Sequence, residues 1–147
     1  MKISVACDHA GLETKERVKQ ILTAQGHEVV DCGTNSKESC DYPDYGLRAA
    51  RMVISGEVDR AVLVCWTGNG MGIAANKVRG VRAGIALNRD MAYYTRSHND
   101  ANVLVIGQKY VEAAEMEQIL LTFLTTAFEG GRHVPRLAKI AAAEEEC

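Results

Sequence analysis

What this sequence lacks narrows its function before any motif is read. Its five cysteines, Cys7, Cys32, Cys40, Cys65 and Cys147, are odd in number and share no CxxC spacing, so neither a disulfide framework nor a zinc site is expected. Such thiols suit a reducing cytosol. No apolar run approaches the roughly 20 residues a bilayer demands. Met1-Lys2 leads straight into an apolar stretch that Asp8 closes, which is unlike a signal or transit peptide. Seventeen basic against 19 acidic residues leave a formal charge of -2, without the concentrated positive field that a nucleic acid or membrane surface requires. Any anionic ligand is therefore small and locally held. No linker, repeat or low-complexity tract interrupts the chain. Its 147 residues, 47% of them hydrophobic, predict one domain spanning 1–147.

What is present alternates between strand-length apolar runs and longer segments of helical period, the pattern of βα units around a parallel sheet. Strands are predicted over Lys2–Cys7, His27–Cys32, Arg60–Cys65, Val81–Leu87 and Asn102–Ile106. Helices are predicted over Leu12–Gln25, Tyr45–Ser55, Thr67–Lys77, Arg89–His98 and Val111–Phe128. Leu12, Val18, Ile21 and Leu22 supply the apolar face of the first. Gly33–Tyr45, with Pro43, reads as a loop longer than usual. After Glu129-Gly130-Gly131, His133–Glu146 reads as a charged helix placed to leave its own body and pack on a partner subunit. The expected fold is a three-layer α/β/α sandwich around a five-stranded parallel Rossmann-like sheet. Ligands bind such sheets at the carboxyl ends of the strands.

Three segments are expected at that edge: Cys7-Asp8-His9, the run from Cys65 to Gly72, and His98-Asn99-Asp100. In the second, Gly68, Gly70 and Gly72 let backbone N–H groups face one point at a helix start, where an oxyanion or phosphate is stabilised. Cys65 opens this loop, and a thiolate there is placed to act as base or nucleophile. Close packing of helix on strand explains alternate glycines equally well. The dinucleotide fingerprint is not met, because Ile73 stands where it needs a third glycine or alanine. Nor is the phosphate loop, for Gly72 is followed by Ile73-Ala74-Ala75-Asn76-Lys77, and a cysteine phosphatase needs arginine where Met71 stands. Cys7 and Cys32 read as buried hydrophobes, and Cys40 and Cys147 as exposed inert thiols. His27 and His133 read as surface or capping residues, and Trp66, Tyr93 and Tyr94 as packing residues. Arg132 and Arg136, four apart at the start of the terminal helix, are expected on one face as a fork for phosphate.

The runs CDHAG (Cys7–Gly11), DYPDYG (Asp41–Gly46), CWTGNGMGIAANK (Cys65–Lys77), RSHNDANVLVIG (Arg96–Gly107) and EGGRH (Glu129–His133) followed by Arg136 occur in one order. Together they resemble the type B ribose-5-phosphate isomerases, a family that includes allose-6-phosphate and galactose-6-phosphate isomerases. The resemblance implies an aldose–ketose isomerase that interconverts ribose 5-phosphate and ribulose 5-phosphate through a cis-enediolate, with no metal or cofactor. It implies Cys65 as base, Gly68, Asn69, Gly70 and Gly72 as the backbone cradle with Thr67 beside it, and Asp8 and His98 for ring opening. Tyr42 and Asn99 would contact the sugar, while His9, Lys109, Arg132 and Arg136 would hold the phosphate. It further implies a homodimer with shared active sites, with pairing into tetramers left open, in which Asn99 and the arginines come from the partner. Two positions depart from the family: Trp66 where glycine is usual, and Lys109 where arginine is common. Rival readings keep the reaction on allose 6-phosphate, galactose 6-phosphate or a tetrulose phosphate, or make the chain a non-catalytic phosphosugar-binding module.

Overall fold

The computed structural model describes residues 1–146, so Cys147 lies outside it. Strand β1 (Lys2–Cys7) leads through a 3-10 turn at His9–Gly11 into helix α1 (Leu12–Ala24), and β2 (Glu28–Asp31) precedes α2 (Tyr42–Ile54). Next come β3 (Arg60–Cys65), α3 (Asn69–Ala75), β4 (Ala83–Ile85), α4 (Arg89–Ser97), β5 (Val103–Gly107) and α5 (Ala113–Thr125). A second 3-10 turn at Gly131–His133 opens the terminal helix α6 (Val134–Glu145). The five strands form one sheet in the order β2-β1-β3-β5-β4, and every pairing is parallel.

The central strands are apolar throughout because both faces of the sheet are covered. Side chains alternate between faces along a strand. Ile3, Val5, Cys7, Val62, Val64, Leu104 and Ile106 therefore pack against Val18 and Leu22 of α1 and Ile119, Leu120 and Phe123 of α5. On the opposite face Ala6, Ala61, Leu63, Cys65, Val103 and Val105 meet Ala49 and Ala50 of α2 and Met71 and Ala75 of α3. That second face is built of small residues. A Cβ on Gly46 would lie 2.6 Å from Met71 Sδ, so α2 rests against α3 only because Gly46 has no side chain. This close fit brings the first turn of α2 beside the first turn of α3.

Several boundaries differ from those read from the sequence. Helix α2 begins at Tyr42, not Tyr45, and Pro43 lies in its first turn, where the missing N–H of proline has no helical partner to lose. Strand β4 is three residues long, since it is an edge strand paired only with β5. Arg132 lies in the 3-10 turn and not in α6, so it does not share a helix face with Arg136. No side chain of α6 is buried. The helix is tied to its own chain near its end, where the Gly80 N–H donates to Glu144 and Arg79 pairs with Glu145. Among the described residues no helix is long and apolar enough to cross a membrane.

The periodicity of α1 gave no sign of Lys15, whose side chain is fully buried. Its ammonium donates to both oxygens of Asp31 at 2.7 and 2.9 Å, to the Thr34 carbonyl at 2.7 Å and to Asn35 Oδ1 at 2.7 Å. Burial alone would raise the Asp31 carboxyl, but hydrogen bonds from Lys15 and Lys19 hold it below its ordinary value. A depressed carboxylate stabilises the fold above its unfolded pKa and loses that contribution as pH falls through the folded value. Lys15→Met should therefore lower unfolding free energy in urea at pH 7 by about 3–5 kcal/mol, the usual cost of breaking a buried pair. The gap between the two proteins should narrow below about pH 4; a gap independent of pH would contradict this account.

Candidate active site

The register of β1, β3 and β5 builds one end of the site. Cys7 pairs with Val64 and Cys65 with Gly107, so the loops that leave these three strands emerge side by side at the carboxyl edge. Cys65 is nearly buried on the small-residue face. The Gly68 N–H donates to its Sγ at 3.2 Å. Gly68 makes this turn at φ +88°, a left-handed conformation that glycine adopts without steric penalty. Gly107 is required for a different reason, that of space, because a Cβ there would collide with the Thr67 carbonyl. The Asn69 N–H donates to Thr67 Oγ1 at 3.3 Å. The amides of Gly70 and Met71, in the first turn of α3, have no carbonyl four residues back within the helix and are free for a ligand oxygen.

Around this loop the same edge carries Asp8, His9, Tyr42 and Lys109. Asp8 is nearly buried, its Oδ1 accepting the Gly11 N–H at 3.1 Å. His9 Nδ1 accepts the Cys40 N–H at 3.2 Å, and Cys40 Sγ lies 3.9 Å away. Cys40 is thus half-buried against His9, not an exposed thiol. The Tyr42 ring lies over Gly70, where an added Cβ would approach it to 2.7 Å. Lys109 reaches across the mouth of the loop, its Nζ 6.0 Å from the Trp66 ring centre and 5.6 Å from that of Tyr110. Trp66 is 52% exposed, so it is not the packing residue that the sequence suggested.

His98-Asn99-Asp100 does not join this edge. These residues precede β5, whose first residue Val103 pairs with Ala61, and they lie at the amino ends of the strands, about 13 Å of β-strand from Cys65. A helix that returns antiparallel to its strands ends there by necessity. Arg132 and Arg136 belong to the same end, because His133 beside Arg132 stacks on His98 with ring centres 4.2 Å apart. The sequence-predicted residues thus form two groups. Asp8, His9, Tyr42, Cys65, Thr67, Gly68, Asn69, Gly70, Gly72 and Lys109 lie at the carboxyl edge; His98, Asn99, Arg132 and Arg136 lie at the opposite one.

This second group contains residues that the sequence reading missed. His133 is buried, not a surface or capping residue, and burial followed by the charges of His98, Arg132 and Arg136 pulls its imidazole below the ordinary histidine value, against Glu129. Glu129 Oε2 stands 3.7 Å from Nε2 of both His98 and His133. The only signal in the sequence was that both residues sit in the EGGRH run. Tyr93 and Tyr94 are also partly exposed, and the Tyr94 ring tilts onto His98 with centres 4.8 Å apart. The nitrogens and carboxylate of His98, Glu129 and His133 lie within 4.8 Å of one another, which is near metal-ligand spacing. Their rings are inclined by only 21°, so the in-plane lone pairs run side by side and do not converge on one ion.

A family model described as Ribose/Galactose Isomerase matches residues 3–140. The chain is 42% identical to ribose-5-phosphate isomerase B of Escherichia coli, over 98% of this chain and 97% of that one. It superposes on the Clostridium thermocellum ribose-5-phosphate isomerase B with a TM-score of 0.97 at 45% identity, covering 99% of each chain. The Mycoplasma genitalium ribose-5-phosphate isomerase B, solved with bound ribulose 5-phosphate, gives a TM-score of 0.93 at 38% identity, covering 99% of this chain and 97% of that one.

The environments of the thiols separate them. Burial pushes the Cys7 thiol up to about 12 although Lys15 and the Thr34 backbone act against it, and burial likewise raises Cys32. Both are inert as nucleophiles. Cys65 instead has an N–H donor at its sulfur and opens onto the loop. Iodoacetamide at pH 8 followed by peptide mapping should modify Cys65 and the half-buried Cys40 while Cys7 and Cys32 remain free; alkylation of Cys7 as fast as Cys65 would contradict the assignment.

Proposed function

This chain belongs to the ribose/galactose isomerase family and is an aldose–ketose isomerase, and from that premise we propose how its residues interconvert ribose 5-phosphate and ribulose 5-phosphate. The observation that carries the reading is the Cys65 sulfur, held 3.2 Å from the Gly68 N–H at the mouth of a loop whose Gly70 and Met71 amides have no acceptor within the helix they open. A base and an oxyanion cradle within one turn are what proton transfer next to a carbonyl requires. The ribulose 5-phosphate bound in the Mycoplasma genitalium relative supports the choice of sugar.

In this mechanism the furanose opens first, with His98 and Asp8 carrying protons to and from the sugar oxygens. Cys65 thiolate then takes the proton from carbon 2, and the charge that appears on oxygen is held within the Gly68–Gly72 turn, whose Gly70 and Met71 N–H groups are uncommitted. One such donor is typically worth about 3 kcal/mol. A proton passes from the hydroxyl on carbon 2 to the oxygen on carbon 1, and the thiol returns its own proton to carbon 1, which completes the conversion of aldehyde to ketone. Thr67 and Asn69 shape the cradle, and Tyr42 and Asn99 contact the sugar. His9, Lys109, Arg132 and Arg136 hold the phosphate, whose binding energy fixes the reacting carbons against the sulfur.

Within one chain His98, Asn99 and both arginines lie at the wrong edge for this chemistry. We propose that a second copy supplies them, so that each site joins the carboxyl edge of one protomer to the amino edge of its partner. The terminal helix, tied to its own chain through Glu144 and Glu145, buries no side chain there and leaves its exposed face open to that contact. A twofold dimer then holds two equivalent sites.

Cys65→Ala and His98→Asn dimers should each lose about 10²- to 10⁴-fold in turnover, the usual contribution of an acid–base group. Co-expressed in equal amounts, the two variants should recover about a quarter of wild-type activity, because half of the dimers are mixed and each mixed dimer has one intact site. A Cys65→Ala protein at the wild-type rate would remove the base assignment. A mixture as inactive as its parents would remove the shared site.

A further inference from the structure

Glu129 has no place in the chemistry described so far, yet its half-exposed carboxylate is anchored at the amino edge beside both histidines. Its backbone N–H donates to the Ser97 carbonyl at 3.0 Å, which fixes it against the end of α4. The Tyr93 hydroxyl donates to Oε1 at 3.2 Å. Those two contacts leave Oε2 facing the Nε2 atoms of His98 and His133, each 3.7 Å away, which is within about 1 Å of hydrogen-bond length. The two histidines do not compete equally for it. His133 Nε2 is buried with no hydrogen-bond partner, and its surroundings disfavour a charge on that ring. His98 is half-exposed and lies between the rings of Tyr94 and His133, so its plane is set by stacking and its rotation within that plane remains to be fixed.

We propose that Glu129 is the positioning residue for His98: its carboxylate holds Nε2–H and thereby presents Nδ1 to the sugar for ring opening. Which nitrogen of an imidazole exchanges protons is decided by the hydrogen bond the other makes. The inference rests on His98 acting in ring opening. In that step the proton leaves the hydroxyl on carbon 1, the bond from carbon 1 to the ring oxygen breaks as the aldehyde forms, and its electron pair goes to the ring oxygen, which takes up a proton. His98 and Asp8 serve the two ends of this transfer, and no oxidation state changes. Glu129 touches neither sugar nor sulfur. It acts on the ring, not on the carbon acid.

Ring opening is separable from isomerisation because the two sugars differ in form. Ribose 5-phosphate closes through the oxygen on carbon 4. Ribulose 5-phosphate would need the oxygen on carbon 5, which the phosphate blocks, and it is open in water. The test sets single-turnover loss of ribose 5-phosphate by excess Glu129→Gln dimer beside the same dimer's exchange of the carbon-1 proton of ribulose 5-phosphate with solvent deuterium. Disappearance of ribose 5-phosphate should slow by about 10- to 100-fold, the scale of a misplaced catalytic group, and become independent of enzyme concentration as spontaneous opening takes over. Exchange of the carbon-1 proton of ribulose 5-phosphate with solvent deuterium should stay within about threefold of wild type, since enediolate formation from the open ketose does not pass through the ring.

Tyr93→Phe, which removes the clamp on Oε1, should show the same asymmetry more weakly, and Glu129→Asp should restore part of the loss. Equal slowing of ribose 5-phosphate loss and of ribulose 5-phosphate proton exchange would mean that Glu129 is merely structural, and no slowing of either would mean that it does nothing for His98. The underlying reading fails separately: a His98→Asn dimer that consumes ribose 5-phosphate at the wild-type rate removes His98 from ring opening.

Discussion

An all-parallel sheet has two chemically different edges, and the chain cannot move a residue from one to the other by a short connection. Loops that leave strands emerge at the carboxyl ends, loops that enter them gather at the amino ends, and the strand itself keeps the two about 13 Å apart. The β3–β5 pairing, with Cys65 opposite Gly107 and Ala61 opposite Val103, fixes this separation here. It puts the sulfur, the amide-rich turn and Asp8 together, and it puts His98, Glu129, His133 and the arginines out of their reach within the same chain. The proposed dimer follows from this constraint: a second protomer is the economical way to bring an amino edge to a carboxyl edge.

The close approach of backbone at the carboxyl edge depends in turn on small residues. Gly46 admits Met71, Gly70 admits the Tyr42 ring, and Gly107 admits the Thr67 carbonyl. Each removes one Cβ that would hold apart two elements of the site. On the other side of β1, Lys15 gathers Asp31, the Thr34 carbonyl and Asn35, which ties down the segment that leads to Tyr42. The Cys7 thiol also contacts the Thr34 carbonyl, at 3.7 Å, so the same buried anchor supports the strand end next to Asp8. Stability and site geometry therefore share residues at this edge.

Strand number, direction and layer count were legible in the sequence because burial of both sheet faces leaves continuous apolar runs such as RAVLVC and VLVIG. The loop of Cys65 was legible because glycine at a required turn is visible as glycine. What the sequence hid was of two kinds. Lys15 lies on an apolar helix face and is buried by its partners, a compensation that no periodicity reveals. The placement of His98-Asn99-Asp100 was misread because polar residues beside a strand look alike at either end, whereas their position before β5 decides the edge. Glu129 carries no signal of its own in the EGGRH run and His133 reads there as a surface or capping residue, since their importance lies in a stack and a carboxylate contact between the end of α4, the loop after α5 and the second 3-10 turn. Tyr42 joined the site through a helix that starts three residues earlier than its apolar pattern suggested, with Pro43 in its first turn.

The central claim is that one site is made from two opposite sheet edges. Its most direct test is a crystal structure of the Cys65→Ala protein with ribulose 5-phosphate bound. The account predicts carbon 2 of the sugar beside residue 65 and the Gly68–Gly72 turn of one protomer, and Arg132 or Arg136 of the other protomer on the phosphate. A sugar whose reacting carbons and phosphate are both held by a single protomer would contradict it.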